Sequence, residues 1–352
     1  MSSSAPSALV APSRAAPAKR PSRRLLPMLE VVLLVVGALL PLVLHDYQLA
    51  LGTRILILAL LALSFDLLWG YAGLMSFGQA VFFGIAGYGV GLVARDLQVT
   101  AAWIVLPLAL LIGLVVALAL GGFLLLGRRP AGPVFVALGT LTAGYAADRL
   151  ARSWAWVGAE NGLPSIAQLT LAGEPLGDGA GFYYLALVIL VAAYLLCRML
   201  VRSQVGLALV GLRENESRIA FFGYRTQRLK ALVFALSGAI AGLSGGLYAF
   251  HEGFVWPGML GVVMSTQAVL YVLLGGAGTL IGAVVGTVVL ESLSFWMADV
   301  APGVWPIALG ILLLVVVLLR PAGLVSLLAG ERERVGRFGP RTRPDDDAGA
   351  KP

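Results

Sequence analysis

Residues 203–230 read SQVGLALVGLRENESRIAFFGYRTQRLK. This short charged segment lies between long apolar runs. A loop between spans is either a structureless linker or a handle for a partner, and linkers are polar and rich in Pro, Gly or Ser. This one keeps Leu207, Val210, Ile219 and Phe222, so it has an apolar face to bury. Glu214 and Arg218 stand four apart, in the favourable order for a helical ion pair. Gly223 follows where a helix C-terminus takes a left-handed residue. The segment predicts a helix from about Glu214 to Phe222 with Ile219 and Phe222 on one side, a handle for a partner rather than a tether. A helix lying on the lipid surface is the alternative.

The rest of the chain fixes the setting of that handle. Of 352 residues, 59% are hydrophobic and 12% charged, against roughly 25% charged in soluble domains. The composition is that of a polytopic membrane protein. The net charge of +7 does not indicate a nucleic-acid partner, because the basic residues cluster beside apolar runs, as in loops retained on the cytoplasmic side. Cys197 is the single cysteine, and His45 and His251 are the two histidines, so an intrachain disulfide is excluded and no metal site or cofactor is expected.

A span needs about 20 apolar residues. Candidates are 25–45, 51–70, 79–95, 101–127, 131–150, 181–201, 230–250, 258–274, 279–297 and 303–320. Loop charges test the count. Arg128 and Arg129 follow the fourth span, and seven Lys/Arg lie in 198–230 against Glu214 and Glu216. The loop 151–180 instead holds Glu160, Glu174 and Asp178 against Arg152. Ten spans with both termini cytoplasmic put the basic loops inside. The expected class is therefore all-α, with about ten transmembrane helices and broken Gly-rich segments. The pair 258–297 is left open, since Gly275–Gly278 could instead mark a re-entrant turn. Residues 1–24 read as a disordered cytoplasmic tail followed by a retained span, 25–325 as the transmembrane domain with 202–230 as its coupling loop, and 326–352 as a second cytoplasmic tail.

The segment Gly70 to Gly89, GYAGLMSFGQAVFFGIAGYG, carries six glycines around Ser76 and Gln79. Such a density breaks or kinks a helix, and irregular backbone at membrane depth is tolerated only inside protein or along a cavity. Gly73, Ser76, Gly78, Gln79 and Gly84 are the candidates for a translocation path. The alternative is close helix packing with locally satisfied polar groups. Gly238, Gly242 and Gly246, and likewise Gly278, Gly282 and Gly286, form small-residue ridges that favour internal packing. Two intramembrane carboxylates stand out. Asp66 is expected near enough to the membrane interface to reach water. Glu291 is expected to be buried, either coupling an ion or paired with an Arg of a neighbouring helix.

A phosphate-binding loop requires Gly-Lys followed by Ser or Thr. Lys19, Lys230 and Lys351 follow Ala18, Leu229 and Ala350, so this chain carries no such loop. An ATP motor would be another chain.

Together, residues 70–89, the loop GLRENESRIAFFGYRTQRLK with the following FALSGAIAGLSGGLYA, the run LGGAGTLIGAVVG and the ending RPAGL resemble the inner-membrane permeases of branched-chain amino acid ABC importers, the LivM type. The likeness touches most of 55–325. It implies a permease subunit of the bacterial inner membrane, working by alternating access and performing no covalent chemistry. A second permease, two cytoplasmic ATPase subunits and an extracytoplasmic substrate-binding protein would complete the importer. Arg213, Glu214, Asn215, Glu216, Arg218, Ala220, Phe222 and Gly223 would form the segment that couples to an ATPase. Two departures are visible: the outer loop Val157-Gly158-Ala159-Glu160-Asn161-Gly162-Leu163 loses one Gly of the usual pattern, and Leu207 stands where an Arg is common. Urea, short amides, or a sugar or nucleoside remain alternative cargoes. A proton-coupled secondary transporter using Asp66 or Glu291 is the rival from another class, and it would not need the handle.

Overall fold

The computed structural model describes residues 25–127, 132–171, 173–177, 179–300, 310–311, 314 and 323–327. The expected tail 1–24, most of the tenth span 303–320 and nearly all of the tail 326–352 lie outside the described residues.

The architecture is helical. α1 (Leu25–Leu39) leads through a 3-10 turn into α2 (Asp46–Phe65), which continues as a π-helical turn, Asp66–Tyr71. After an irregular stretch come α3 (Gln79–Asp96), α4 (Ala102–Leu125) and α5 (Pro133–Ser153). Residues 154–179 hold two 3-10 turns and a two-residue antiparallel pair, β1 (Thr170–Leu171) with β2 (Glu174–Pro175). α6 (Ala180–Arg202), α7 (Gln204–Glu214), α8 (Glu216–Phe221) and α9 (Thr226–Glu252) follow. After a 3-10 turn at Pro257–Leu260, α10 (Val262–Gly275) and α11 (Ile281–Val300) form a hairpin.

Among the described residues, four helices are long and apolar enough to cross a membrane: Asp46–Tyr71, Ala102–Leu125, Ala180–Arg202 and Thr226–Glu252. Shorter apolar helices cover Met28–Leu42, Val262–Gly275 and Ile281–Met297. At 1.5 Å per residue, α10 is about 21 Å long, short of a hydrocarbon core of about 30 Å. Residues 258–297 thus hold two helices joined at Gly276–Leu280, the first shorter than a typical span of about 20 residues. Gly276 and Gly278 hold positive φ there.

Two helices form the centre. α2 and α9 are largely buried, whereas α4 and α6 bury little of their surface and leave residues such as Leu111, Val115, Phe123, Val188 and Met199 outward. An apolar outward face suits lipid, since lipid tails exert no penalty on it. α9 packs most extensively on α4, and the glycine ridge explains the closeness. A Cβ on Gly242 would lie 2.7 Å from both the Ala109 carbonyl oxygen and the Gly113 Cα. Gly238 and Gly246 face Ala117 and Ala109 of the same helix. The ridge serves internal packing.

Candidate functional site

The helix break falls within the Gly-rich segment, at 72–78, between the π-turn and α3. Its polar groups are spent inside the protein. Gly78 N–H donates to Ser76 Oγ at 3.0 Å. Phe77 N–H donates to Thr140 Oγ1 of α5 at 3.0 Å, and Ala80 N–H to Ser265 Oγ of α10 at 3.1 Å. The first N–H groups of a helix have no intrahelical acceptor, so a buried helix start must borrow acceptors. The start of α3 borrows from α10 through Ala80, and the break just before it borrows from α5 through Phe77.

Gln79 ties the bundle together. Its Nε2 donates to Ser237 Oγ at 2.9 Å, and its Oε1 lies 3.2 Å from Ser64 Oγ. Ser237 Oγ donates in turn to the Ser64 carbonyl at 2.7 Å. One amide therefore joins α2, α3 and α9. Ser76 and Gln79 are fully buried. Gly84 lies against Leu260, where a Cβ would come within 2.5 Å of Cδ2 and 3.0 Å of the backbone N. Gly78 faces Thr140 at 3.1 Å. Ser76, Gly78, Gln79 and Gly84 thus cluster at the start of α3 among α2, α5, α9, α10 and the turn Pro257–Leu260, whereas the fifth candidate, Gly73, lies against Arg213.

The handle differs from its expected form. The chain breaks at Asn215 (φ −159°), so Glu214 ends α7 and Arg218 belongs to α8. Asn215 Oδ1 accepts the Arg218 N–H at 3.0 Å, an N-cap that restarts the helix. The expected short helix from about Glu214 to Phe222 is α8, which begins two residues later, and the break separates Glu214 from Arg218, so their expected ion pair does not form. The ion pair of the segment is instead Glu216 with Lys230 of α9, at 2.6 Å. Lys230 is buried, and the carboxylate is what makes its burial tolerable. Gly223 does adopt the left-handed conformation, φ +84°.

The handle's faces also differ. α7 buries Ala208, Leu209 and Leu212 and turns Leu207 outward. Phe221 is 95% exposed and Phe222 73%. The aromatic pair, with exposed Tyr224 beside it, leaves an uncovered apolar surface on α8. Phe221 was not singled out from the sequence, because helical spacing alone did not show which of two adjacent phenylalanines faces outward.

The two regions touch through Arg213. From the end of α7 its Nη1 donates to the Gly70 carbonyl, and its Cγ would lie 2.9 Å from a Cβ on Gly73. Gly73 has φ +70°, so the close approach and the backbone both require glycine. Gly278 also lies nearby, its would-be Cβ 3.4 Å from Arg213 Nη1. Exposed handle, π-turn and α10–α11 hairpin therefore meet at one guanidinium.

The two carboxylates are placed as follows. Asp66 is fully buried and does not reach water, a correction to the expected interfacial position. It accepts from the backbone N–H groups of Gly278 and Leu280. Glu291 is buried, accepts from Tyr271 Oη at 2.5 Å, and lies 4.0 Å from Arg54 Nε of α2. It has the neighbouring-helix Arg partner. Arg54 carries no helical motif, and its pairing was not legible from spacing.

The loop between α5 and α6 closes onto the chain after α9. Leu163 and Val255 exchange backbone hydrogen bonds at 2.7 and 3.1 Å, and Ile166 N–H donates to the Gly253 carbonyl at 3.0 Å. Gly158 and Gly162 both hold positive φ in this loop.

Residues 48–319 match the family model described as the branched-chain amino acid transport system, permease component. The chain is 27% identical over 323 residues to the high-affinity branched-chain amino acid transport system permease protein LivM of Salmonella typhimurium, covering 84% of this chain and 74% of that protein. The Escherichia coli LivM protein matches to the same extent. The Autoinducer 2 import system permease protein LsrC of Salmonella paratyphi B is 28% identical over 197 residues, 53% of this chain and 54% of that protein. No solved structure matches. With most of its length matched, its apolar helices suited to a bilayer and its break and handle joined at Arg213, the chain is an integral membrane protein of the branched-chain amino acid transport system permease family.

Proposed function

We propose that this chain is a permease subunit of an ATP-driven importer for branched-chain amino acids, crossing the inner membrane ten times with both termini cytoplasmic. A second permease, two cytoplasmic ATPase subunits and an extracytoplasmic binding protein complete it. The observation that carries the reading is the contact of Arg213 with Gly70 and Gly73. It gives the exposed α8 surface a direct mechanical route to the break before α3.

In this reading Phe221 and Phe222 are apolar anchors for a groove of an ATPase subunit, and the charges around them set the register. Fully burying one such side chain is worth about 1.5–3 kcal/mol. Closure of the motor moves the handle, and Arg213 transmits the movement to the π-turn and the segment 72–78. The five residues Gly73, Ser76, Gly78, Gln79 and Gly84 then line the route in the open states. Alternating access is a shift between two such states, driven by ligands that bind them unequally. The resemblance to an Autoinducer 2 import permease keeps a sugar-like cargo as the second reading.

The test is uptake of labelled leucine into proteoliposomes holding the whole importer. Uptake should require both ATP and the binding protein. Uptake driven by a proton gradient without ATP refutes the importer reading, and ATP-driven uptake of a sugar with none of leucine, isoleucine or valine refutes the cargo.

A further inference from the structure

At the end of α9 far from the handle, Arg54 of α2 is shared between two carboxylates. Its Nη1 lies 3.9 Å from Glu252 Oε1 and its Nε 4.0 Å from Glu291 Oε2. The guanidinium stands 6.0 Å from the Tyr248 ring centroid. Both ion contacts are at the outer limit of a salt bridge, and Arg54 Nε is buried with no hydrogen bond. A guanidinium offers five N–H donors in a fork that fits a carboxylate. Here the fork is held in place but not closed on either glutamate.

Arg54 is the ninth residue of α2, about 12 Å along the axis from Asp46. Its side chain is 43% exposed and that of Glu252 29%. Charged side chains within spans face water or protein, and Arg54 lies about 12 Å into α2 beside Glu252, the last residue of α9. The face of α2 and α9 that carries Arg54 and Glu252 is therefore a non-lipid face. One guanidinium against two carboxylates gives the triad a formal charge of +1 − 2 = −1, room for a further cationic group. Glu291 is fixed by Tyr271 Oη, whereas Glu252 sits at the helix end, 29% exposed and hydrogen-bonded to Tyr248. A loosely engaged cation beside a surplus carboxylate, with an aromatic ring alongside, matches the two charges and the apolar body of a free amino acid.

We propose that Arg54, Glu252 and Glu291 form a binding site for a zwitterionic α-amino acid within the permease, Arg54 taking the carboxylate and Glu252 the ammonium while the side chain lies against Tyr248. Glu291 is a positioning residue that holds Arg54 from behind. The site rests on the import reading above and deepens it: the permease itself would check for both charges of the cargo.

The test reads binding, without ATP and without the binding protein, on the complete permease–ATPase complex in nanodiscs. Probes are L-leucine, isoamylamine, which lacks the carboxylate, and 4-methylpentanoate, which lacks the ammonium. The wild type should bind leucine at least about tenfold more tightly than either analogue, a difference of about 1.4 kcal/mol. Arg54→Gln should erase the advantage over isoamylamine, and Glu252→Gln the advantage over 4-methylpentanoate. A purely structural ion pair would lower all three alike or none, and either pattern overturns the site, as does equal binding of the three probes to the wild type. The double variant Arg54→Gln/Glu252→Gln removes both charges together. If it recovers wild-type leucine preference, the pair is structural and the site is refuted. Failure of the vesicle uptake experiment with preserved leucine preference would count against the import reading alone.

Discussion

The Asp66 carboxylate accepts the backbone N–H of Gly278 through Oδ1 at 2.6 Å and that of Leu280 through Oδ2 at 2.9 Å. One side chain at the start of the π-turn thus satisfies two amides of the α10–α11 hairpin, 212 and 214 residues away. Turn amides buried away from water need acceptors, and the positive φ of Gly276, Gly278 and Leu280 leaves none within a regular helix. Asp66 supplies them, so its burial is structural.

Asp66→Ala should lower the thermal midpoint of the assembled complex strongly, because two buried N–H groups lose their acceptor at about 1–3 kcal/mol each. Asp66→Asn keeps one carbonyl oxygen and should fall between. Thermal unfolding monitored by size exclusion checks the order. An Ala variant as stable as the wild type would show that other acceptors reach the hairpin.

Arg213→Ala should separate motor from route. The α8 surface stays intact, so ATPase subunits should still co-purify, while leucine uptake should fall at least about tenfold. Loss of both together would place Arg213 in the docking surface instead of between it and the break.

Phe222→Ala and Phe221→Ala should each weaken co-purification of the ATPase subunits and blunt the response of ATP hydrolysis to loaded binding protein. Gly223→Val should do the same by a different cause. No atom lies within 4 Å of its would-be Cβ, so the penalty is the positive φ alone, about 1–3 kcal/mol. Pull-down from membranes measures all three. Unchanged ATPase association would point to a helix resting on lipid.

Gly84→Leu should abolish transport and lower stability by about 1–3 kcal/mol or more, since the site is filled by Leu260. Gly78→Leu should also stop transport, with Thr140 in the way. Uptake assays on variants matched for membrane level decide it, and wild-type rates from both would remove the segment from the route.

A reporter active only outside the cytoplasm, fused after Pro352, should be silent if the chain crosses ten times. Strong activity would mean nine crossings.

Much of the site was legible because its signals are local. The glycine density of 70–89 marked the helix break, since helical backbone tolerates it poorly wherever it falls. Gly223 after an apolar-and-charged turn marked a left-handed cap. The N-cap at Asn215 is equally local, but Glu214 and Arg218 at helical spacing point to continuity; the Asx cap of the Arg218 N–H prevails over that pair. The outward position of Phe221 depends on which face of α8 meets the bundle, which spacing leaves open.

The amino-acid sequence by itself determined the class: apolar runs of spanning length, basic loops, a glycine-rich break and a charged handle, each set by residues close together in the chain. Tertiary structure alone decided the partners. Arg213 on Gly70, Asp66 on Gly278 and Leu280, Gln79 between Ser64 and Ser237, and Arg54 between Glu252 and Glu291 join residues that are up to 237 positions apart. A buried polar group must find a partner, which the sequence could foretell; which partner it finds depends on how the helices cross, and that is fixed only when they pack.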